Sequence, residues 1–426
     1  MVIAWSDWEP EGMAGAGEVG WAAVPGAGVP LRRARALVLA LAFGMTACGA
    51  GERGGAGAVV RDSAGITIVE NASPVWGVGE GWRVALEPAV EIGVVEGEDA
   101  YQLDRVADAA RLADGRIVIA DGGTNELRYF DPDGRHLRTV GGEGAGPGEF
   151  RFIGPIVRLP GDSLLVSNRF PPRVALFDPE GRFVRSVDIG HVAEGRLADG
   201  MVLVEVTERL EGLPSGPMRL PVRVVGRDLA GDRADTLVML PGTQRDFRAT
   251  QSAGRVVEVE VWPVPFARGS YWSAAGDRIY AGASDAYEIG VYVPGAGLTR
   301  LVRRSGANRP VTAEAIDRFR RQTLDRASDE NARRRMEQRL AQVTYPETLP
   351  AYSDLAADAE GNLWVRDYSI DEAENRWDVF DPDGRWLGTV ELPPGLKPFE
   401  IGGDYVLGLW KDELGVERVR LHAIEK

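Results

Sequence analysis

A chain of 426 residues with 44% hydrophobic residues holds ample material for a large core. Its net charge of −15 argues against bulk attraction to nucleic acid, so no nucleic-acid partner is expected. The single cysteine excludes an intrachain disulfide and a four-cysteine zinc site.

That cysteine, Cys48, sits where a processing signal needs it. Arg32, Arg33 and Arg35 form a charged region, and residues 36 to 43 form an apolar segment too short to span a bilayer. Met45-Thr46-Ala47-Cys48 then resembles the end of a bacterial lipoprotein signal. The resemblance implies lipidation at Cys48, with membrane attachment through that anchor. It implies a place in the cell envelope, at the outer membrane or facing the periplasm. Gly49 follows the cysteine, and the absence of Asp there favours the outer membrane. Residues 1 to 47 read as leader and signal peptide. Residues 1 to 28 set the cleavage site deep, which is expected if translation starts near Val29. Residues 48 to 77 read as a tether and lead-in, Gly-rich and flexible over 49 to 57.

Strand-like runs at 66 to 70, 81 to 86 and 89 to 93 come next. From residue 105 a pattern starts that recurs to the last residues. Its first turn is Asp114-Gly115, where Gly accepts the φ > 0 of a hairpin, and Ile117-Val118-Ile119 follows as a buried strand. Its second turn is Asp131-Pro132-Asp133-Gly134. The second turn recurs around Asp178-Pro179-Glu180-Gly181 and Asp381-Pro382-Asp383-Gly384, with worn copies near Gly226 and Gly295. The first turn recurs at Gly161, Gly200, Gly276, Gly361 and Gly403, each followed by a β-type run. Repeats of four short strands every ~40–50 residues make propeller blades, and six first turns predict six.

The expected fold is therefore an all-β, six-bladed β-propeller over residues 78 to 426. Its blades fall at about 101 to 141, 150 to 190, 192 to 240, 255 to 304, 348 to 392 and 397 to 426, with a long loop before the fourth. The last has room for only three strands. The segment from Trp82 to Ile92 is expected to supply the fourth and close the ring. One stretch breaks the β pattern: residues 312 to 343 read as a helical-hairpin insertion, with Thr312 and Ser328 as caps. Val311, Ala315, Ile316 and Phe319 form one inner face, and Ala332, Met336, Leu340 and Val343 the other. Arginines crowd the outer faces. The hairpin is expected over or beside the channel mouth.

The loop from Gly144 to Phe150, with Asp114 to Asp121, Asn125 and Phe130, resembles an NHL-type repeat, although Glu126 stands where such repeats often carry His. The chain is similar to bacterial six-bladed propeller lipoproteins of the NHL-like group. That resemblance implies fold far more than function.

Ligand sites of propellers lie on one face, among the loops between blades and those between second and third strands. The Asp-rich hairpin turns lie on the other face and read as structural. The candidate ligand residues are Tyr101, Glu149, Arg151, Asn168, Arg169, Tyr271, Trp272, Tyr352, Asp354, Asp367 and Arg376; aromatics, Arg and Asp around a concave mouth suit sugars, peptides or small anions. The wider face also takes in Phe150, Asp285, Tyr368 and Trp377. His136, His191 and His422 fall at different levels, which argues against a three-His zinc site. Glu149, Asn168, Asp354 and Asp367 would be the set for a calcium-type site. No nucleophile elbow or phosphate loop is present.

The sequence thus favours a tethered, extracytoplasmic binding propeller, monomeric, for a small-molecule, glycan, peptide or protein ligand, with no catalytic residues and no cofactor. One alternative is a hydrolase, lactonase or lyase with a carboxylate-held divalent cation at the channel mouth. Another is an interaction scaffold working through the Arg-rich helical arm.

Overall fold

Asp131, Asp178 and Asp381 each build the same turn. Oδ1 of Asp131 accepts the amide N–H groups of Asp133 and Arg135 at 3.0 and 2.8 Å, and Gly134 closes the loop at φ 81°. Asp178 repeats this around Gly181, and Asp381 around Gly384. These acids are committed to backbone donors, as their position in the repeat suggests. The first turns use left-handed glycines at 115, 161, 200, 276 and 361. Gly403 does not follow them. There the tight residue is Gly402, whose Cβ would stand 2.1 Å from the Tyr405 ring.

The computed structural model describes residues 57–208, 216–230, 233–252, 255–306, 308–371 and 373–426. Cys48, the signal segment and the tether up to residue 56 lie outside the described residues. Between the turns the chain forms antiparallel sheets. Sheet one comprises Val106–Arg111, Ile117–Asp121, Glu126–Phe130 and His136–Gly141. Sheet two comprises Ile153–Arg158, Leu164–Asn168, Arg173–Phe177 and Phe183–Val187. Sheet three comprises Gly195–Arg196, Val202–Thr207, Val222–Arg227 and Ala234–Leu240. Sheet four contains Ser270–Ala275, Arg278–Ala283, Glu288–Val293 and Gly297–Arg304. Sheet five comprises Tyr352–Ala357, Leu363–Asp367, Arg376–Phe380 and Trp386–Glu391. Sheet six contains Lys397–Ile401, Tyr405–Lys411 and Glu417–Glu425.

Apolar clusters join these sheets in sequence. Leu127, Phe150 and Phe177 bind sheet one to two, and Val157, Leu165 and Val204 bind two to three. Leu203, Val224 and Ile279 bind three to four, and Ile289, Tyr352 and Leu363 bind four to five. Trp364, Trp377 and Val406 bind five to six. Ile117, Ile119 and Phe130 then share a cluster with Leu407, Leu409 and Val419, so sheet six meets sheet one. Burial of these side chains holds the faces of neighbouring sheets together around the ring. The first strands touch across the ring's inside: 106–111 meets 153–158 and 397–401, and 270–275 meets 352–357. The protein is an all-β propeller.

Both N-terminal runs find partners. Arg83–Val84 and Val90–Ile92 pair antiparallel with Glu417–Glu425 and complete sheet six, as the short last repeat requires. Ala58–Ser63 and Ile66–Asn71 form a hairpin, and Ile66–Asn71 runs parallel to Gly297–Arg304, widening sheet four to six strands. Asn71 fixes this addition: its Nδ2 donates to the carbonyls of Arg303 and Gly384 at 3.0 Å each, and its Oδ1 accepts the Trp386 amide at 2.9 Å.

Sheet four starts later than expected. Residues 255–263 are not its opening strand, and the segment before it is not a loop. Gly216–Arg219, Gln244–Ser252 and Arg255–Pro263 form a separate three-stranded sheet. There, residues 255–263 pair antiparallel with 245–252 as a hairpin.

The insertion is a pair of helices, α1 (Ala313–Asp325) and α2 (Glu330–Leu340). Thr312 caps α1 through Oγ1 to the Ala315 amide at 3.2 Å. Asp329, not Ser328, caps α2, through Oδ1 to the Ala332 amide at 2.8 Å; a carboxylate is the stronger acceptor at a helix N-terminus. Ala315 and the half-buried Ile316 and Phe319 pack on Phe266, Leu349, Tyr345, Tyr368 and Ile370. Among the described residues no helix is long and apolar enough to cross a membrane.

Candidate functional site

Strand direction alternates through the four consecutive strands of each repeat, so the inter-sheet connections and the loops between second and third strands share one face, here called the mouth. The insertion is moored there. Gln322 donates to the Ile370 carbonyl at 3.0 Å and Arg318 pairs with Asp371 at 3.2 Å, both on the loop after the second strand of sheet five. This matches the expected position beside the mouth.

Under that arm, at the junction of sheets three, four and five, aromatic and cationic side chains gather. Tyr271 at the top of one inner strand lies against Tyr352 at the top of the next, ring centroids 5.8 Å apart. Asp354 and Tyr368 act electrostatically on Tyr271, and burial raises its phenol well above the ordinary value. Burial likewise pushes Tyr368 up to about 12, with Arg268 and Arg309 opposing. Three arginines edge the group. Arg309 bonds the Tyr368 carbonyl and stands 3.9 Å from Asp367. Arg268 holds Thr348, and Arg219 pairs with Asp285. Three phenols that stay protonated, with Tyr352 fully buried among them, and three guanidinium groups thus meet at this junction, a set that offers hydrogen-bond donors and positive charge.

A second polar zone lines the channel wall. Asp108 sits third in the first strand of sheet one, after a bulge, and Asp354 holds the same register in sheet five. Oδ1 and Oδ2 of Asp108 accept the amides of Ala109 and Ile156 at 2.8 Å each. Burial, with Glu400 adding, pushes its carboxyl up to about 7. Glu194 is water-accessible yet walled by protein; burial first and then Glu205 push it up to about 7, against Arg169. Glu205 accepts the Trp272 indole N–H at 3.0 Å. Carboxyl groups poised near neutrality are suited to proton transfer.

Of the candidates read from the sequence, Tyr271, Tyr352, Asp354 and Asp367 come together at the mouth, with Arg376 exposed and acting on Asp367. Arg169 faces the channel carboxyls instead. Trp272 packs between sheets three and four. Four do not face a shared site. Tyr101 lies on Phe130, its hydroxyl accepting the His136 amide at 2.8 Å. Glu149 closes its own turn on Gly146 at 2.7 Å. Asn168 is buried, accepting the amides of Arg151 and Phe152 and donating to the Pro171 carbonyl, so it shapes the loop. Arg151 is exposed beside it. Phe150 and Trp377 are core residues. The proposed set of Glu149, Asn168, Asp354 and Asp367 is not assembled: among the described residues no group of three or more His, Cys, Asp or Glu could hold a metal ion.

Sequence reading missed Arg219, Arg268 and Arg309, which sit in connections of irregular length. It also missed Asp108, although a charged residue in matching places of Val106-Ala107-Asp108-Ala109 and Tyr352-Ser353-Asp354-Leu355 was a usable signal. A groove of about 480 Å³ opens beside the mouth, lined by Glu70, Tyr287, Glu288, Arg303, Arg304 and Asn308 among others. Its arginines are spent on structure: Arg303 pairs with Glu288 and Glu70, and Arg304 with the buried Asp378. It is a seam between sheets rather than a ligand site.

The ring of sheets defines a propeller with a polar mouth. No protein-family model and no curated protein matches the sequence. Solved structures do resemble it. A member of the DUF4221 family from Bacteroides vulgatus shares 10% identity over 81% of this chain and 99% of its own, at a TM-score of 0.48. Virginiamycin B lyase from Staphylococcus aureus shares 10% over 81% and 100%, at 0.40. A gluconolactonase from Xanthomonas campestris shares 11% over 76% and 86%, at 0.37.

Proposed function

We propose that the protein is a six-bladed, lipid-anchored propeller of the cell envelope that binds a polar ligand at its mouth without turning it over. The observation that carries the binding reading is the convergence of Tyr271, Tyr352, Tyr368 and Asp354 with Arg219, Arg268 and Arg309, under the moored arm. The sequence around Cys48 supports the anchor, and the chain is taken as a monomer. Ligand-observed NMR with the full chain and a pool of polar metabolites is the test. Retention of a ligand by the wild type, lost in Tyr271→Ala, is expected. Retention equal in both proteins would remove the mouth from the reading.

One observation favours a second reading. Asp108 and Glu194, held near neutrality on the channel wall, are suited to general acid–base work. Incubating the retained ligand with the protein separates the two: an intact ligand supports a binder, and a product lost in Glu194→Gln supports an enzyme.

A further inference from the structure

Arg219 and Arg268 flank one residue. Arg219 is the register partner of Gln244, and the Gln244 amide donates to the Arg268 carbonyl at 2.8 Å. Arg219 donates Nε to the Gly242 carbonyl and Nη1 to Asp285 Oδ2, both at 2.7 Å. Arg268 gives Nη2 to the carbonyl and hydroxyl of Thr348 at 2.7 and 2.8 Å. Each keeps one buried nitrogen with no protein partner: Nη2 of Arg219 and Nη1 of Arg268. The hydroxyls of Tyr352 and Ser270, at the tops of the neighbouring inner strands, are also buried and unpartnered. Two like charges with spare donors form a costly arrangement. Burial depresses the Arg268 guanidinium, and Arg219 adds to that. An oxyanion satisfies the donors and relieves the repulsion together.

Asp285 marks the way in. Its carboxylate already sits on Arg219, and its side chain is 54% exposed. Its carboxylate occupies, on Arg219, the place that an external oxyanion would take.

We propose that the mouth selects ligands bearing an oxyanion, a carboxylate or a phosphate, which displaces Asp285 and bridges Arg219 and Arg268. This rests on the binding reading above. Equilibrium dialysis of the full chain at low ionic strength, against labelled inorganic phosphate and separately against succinate, tests it. Saturable uptake of one equivalent of at least one anion is expected; which anion is retained identifies the ligand group. Arg219→Gln and Arg268→Gln should each weaken it at least tenfold. Asp285→Ala should tighten it at least threefold. No saturable uptake of either anion by wild type and Asp285→Ala overturns the inference, as does uptake indifferent to both arginines. If the arginine variants do not fold, Asp285→Ala decides: unchanged or weaker uptake overturns it. A metabolite whose retention needs Tyr271 but neither arginine would leave the binding mouth standing and remove the oxyanion.

Discussion

Glu417 reaches across the seam of the ring to Val106: its Oε2 accepts the Val106 amide at 2.6 Å, while its Oε1 pairs with Lys411 at 3.1 Å. One side chain of the last strand thereby satisfies the opening amide of the first sheet's inner strand, 311 positions away. Glu417→Ala leaves that buried amide without an acceptor, at a cost of about 1–3 kcal/mol. Urea unfolding should show a lower midpoint with an unchanged slope. An unchanged midpoint would mean that the contact contributes nothing.

Asn71 makes the equivalent join for the N-terminal hairpin. Asn71→Ala removes three hydrogen bonds from a buried side chain to the backbone of Arg303, Gly384 and Trp386. The expected loss is at least about 2 kcal/mol. Hydrogen exchange should accelerate first in residues 58 to 71. Acceleration confined to other sheets would contradict the assignment.

The channel carboxyls give stability a pH slope. Asp108 and Glu194, ordinarily at 3.8 and 4.5, sit at about 7 in the fold. The folded chain then holds protons that the unfolded chain releases, so their contribution is full at about pH 4 and is lost as pH rises to about 7. Glu194→Gln should flatten that fall. It should exceed wild-type stability at about pH 8 by up to about 1 kcal/mol, since water in the channel screens the charge. Denaturant titrations at about pH 5 and pH 8 check this.

His422 has the opposite sign. Its Nδ1 donates to the Ala85 carbonyl at 2.8 Å, and its Nε2 is buried without a partner. Burial, with Arg420 adding, holds it below 6.5, against the Ala85 contact, Glu87 and Glu91. Its contribution is present above pH 6.5 and is lost as pH falls further. An NMR titration of His422 should give a midpoint below 6.5; a higher one would refute the burial argument.

The arm is held by aromatics. Phe319 meets Phe266 at 5.3 Å and Tyr345 at 6.5 Å between ring centroids. Phe319→Ala should cost about 2–3 kcal/mol, less than for a fully enclosed Phe. Proteolysis should then cut within 312 to 343 while the sheets stay intact.

The propeller was legible because its turns are chemical. Asp at the head of the turn and Gly at its left-handed position mark sheets one, two and five without reference to distant residues, and left-handed first-turn glycines index the others up to sheet five. The closing strand followed from counting, since residues 397 to 426 have room for three strands. The widening of sheet four was not legible. It depends on Asn71 meeting residues more than two hundred positions away, and no local pattern encodes that meeting. The site divides the same way. Tyr271, Tyr352 and Asp354 occupy strand tops that the repeat indexes. Arg219, Arg268 and Arg309 sit in connections of unequal length, where position in the repeat says nothing about position in space.

The ring has no covalent clasp, for the chain holds one cysteine. Arg420 and Glu91, which bond across the seam at 2.6 Å, are 329 positions apart. Residues 83 to 92 therefore have no partner strand until residues 417 to 425 have been made. Contacts of this separation form slowly, because loop entropy is lost before they return anything. Closure of this seam is therefore the step of folding expected to be slowest. A change there that barely moves equilibrium stability will still alter how long the unsealed chain exposes its apolar edges to aggregation and proteolysis.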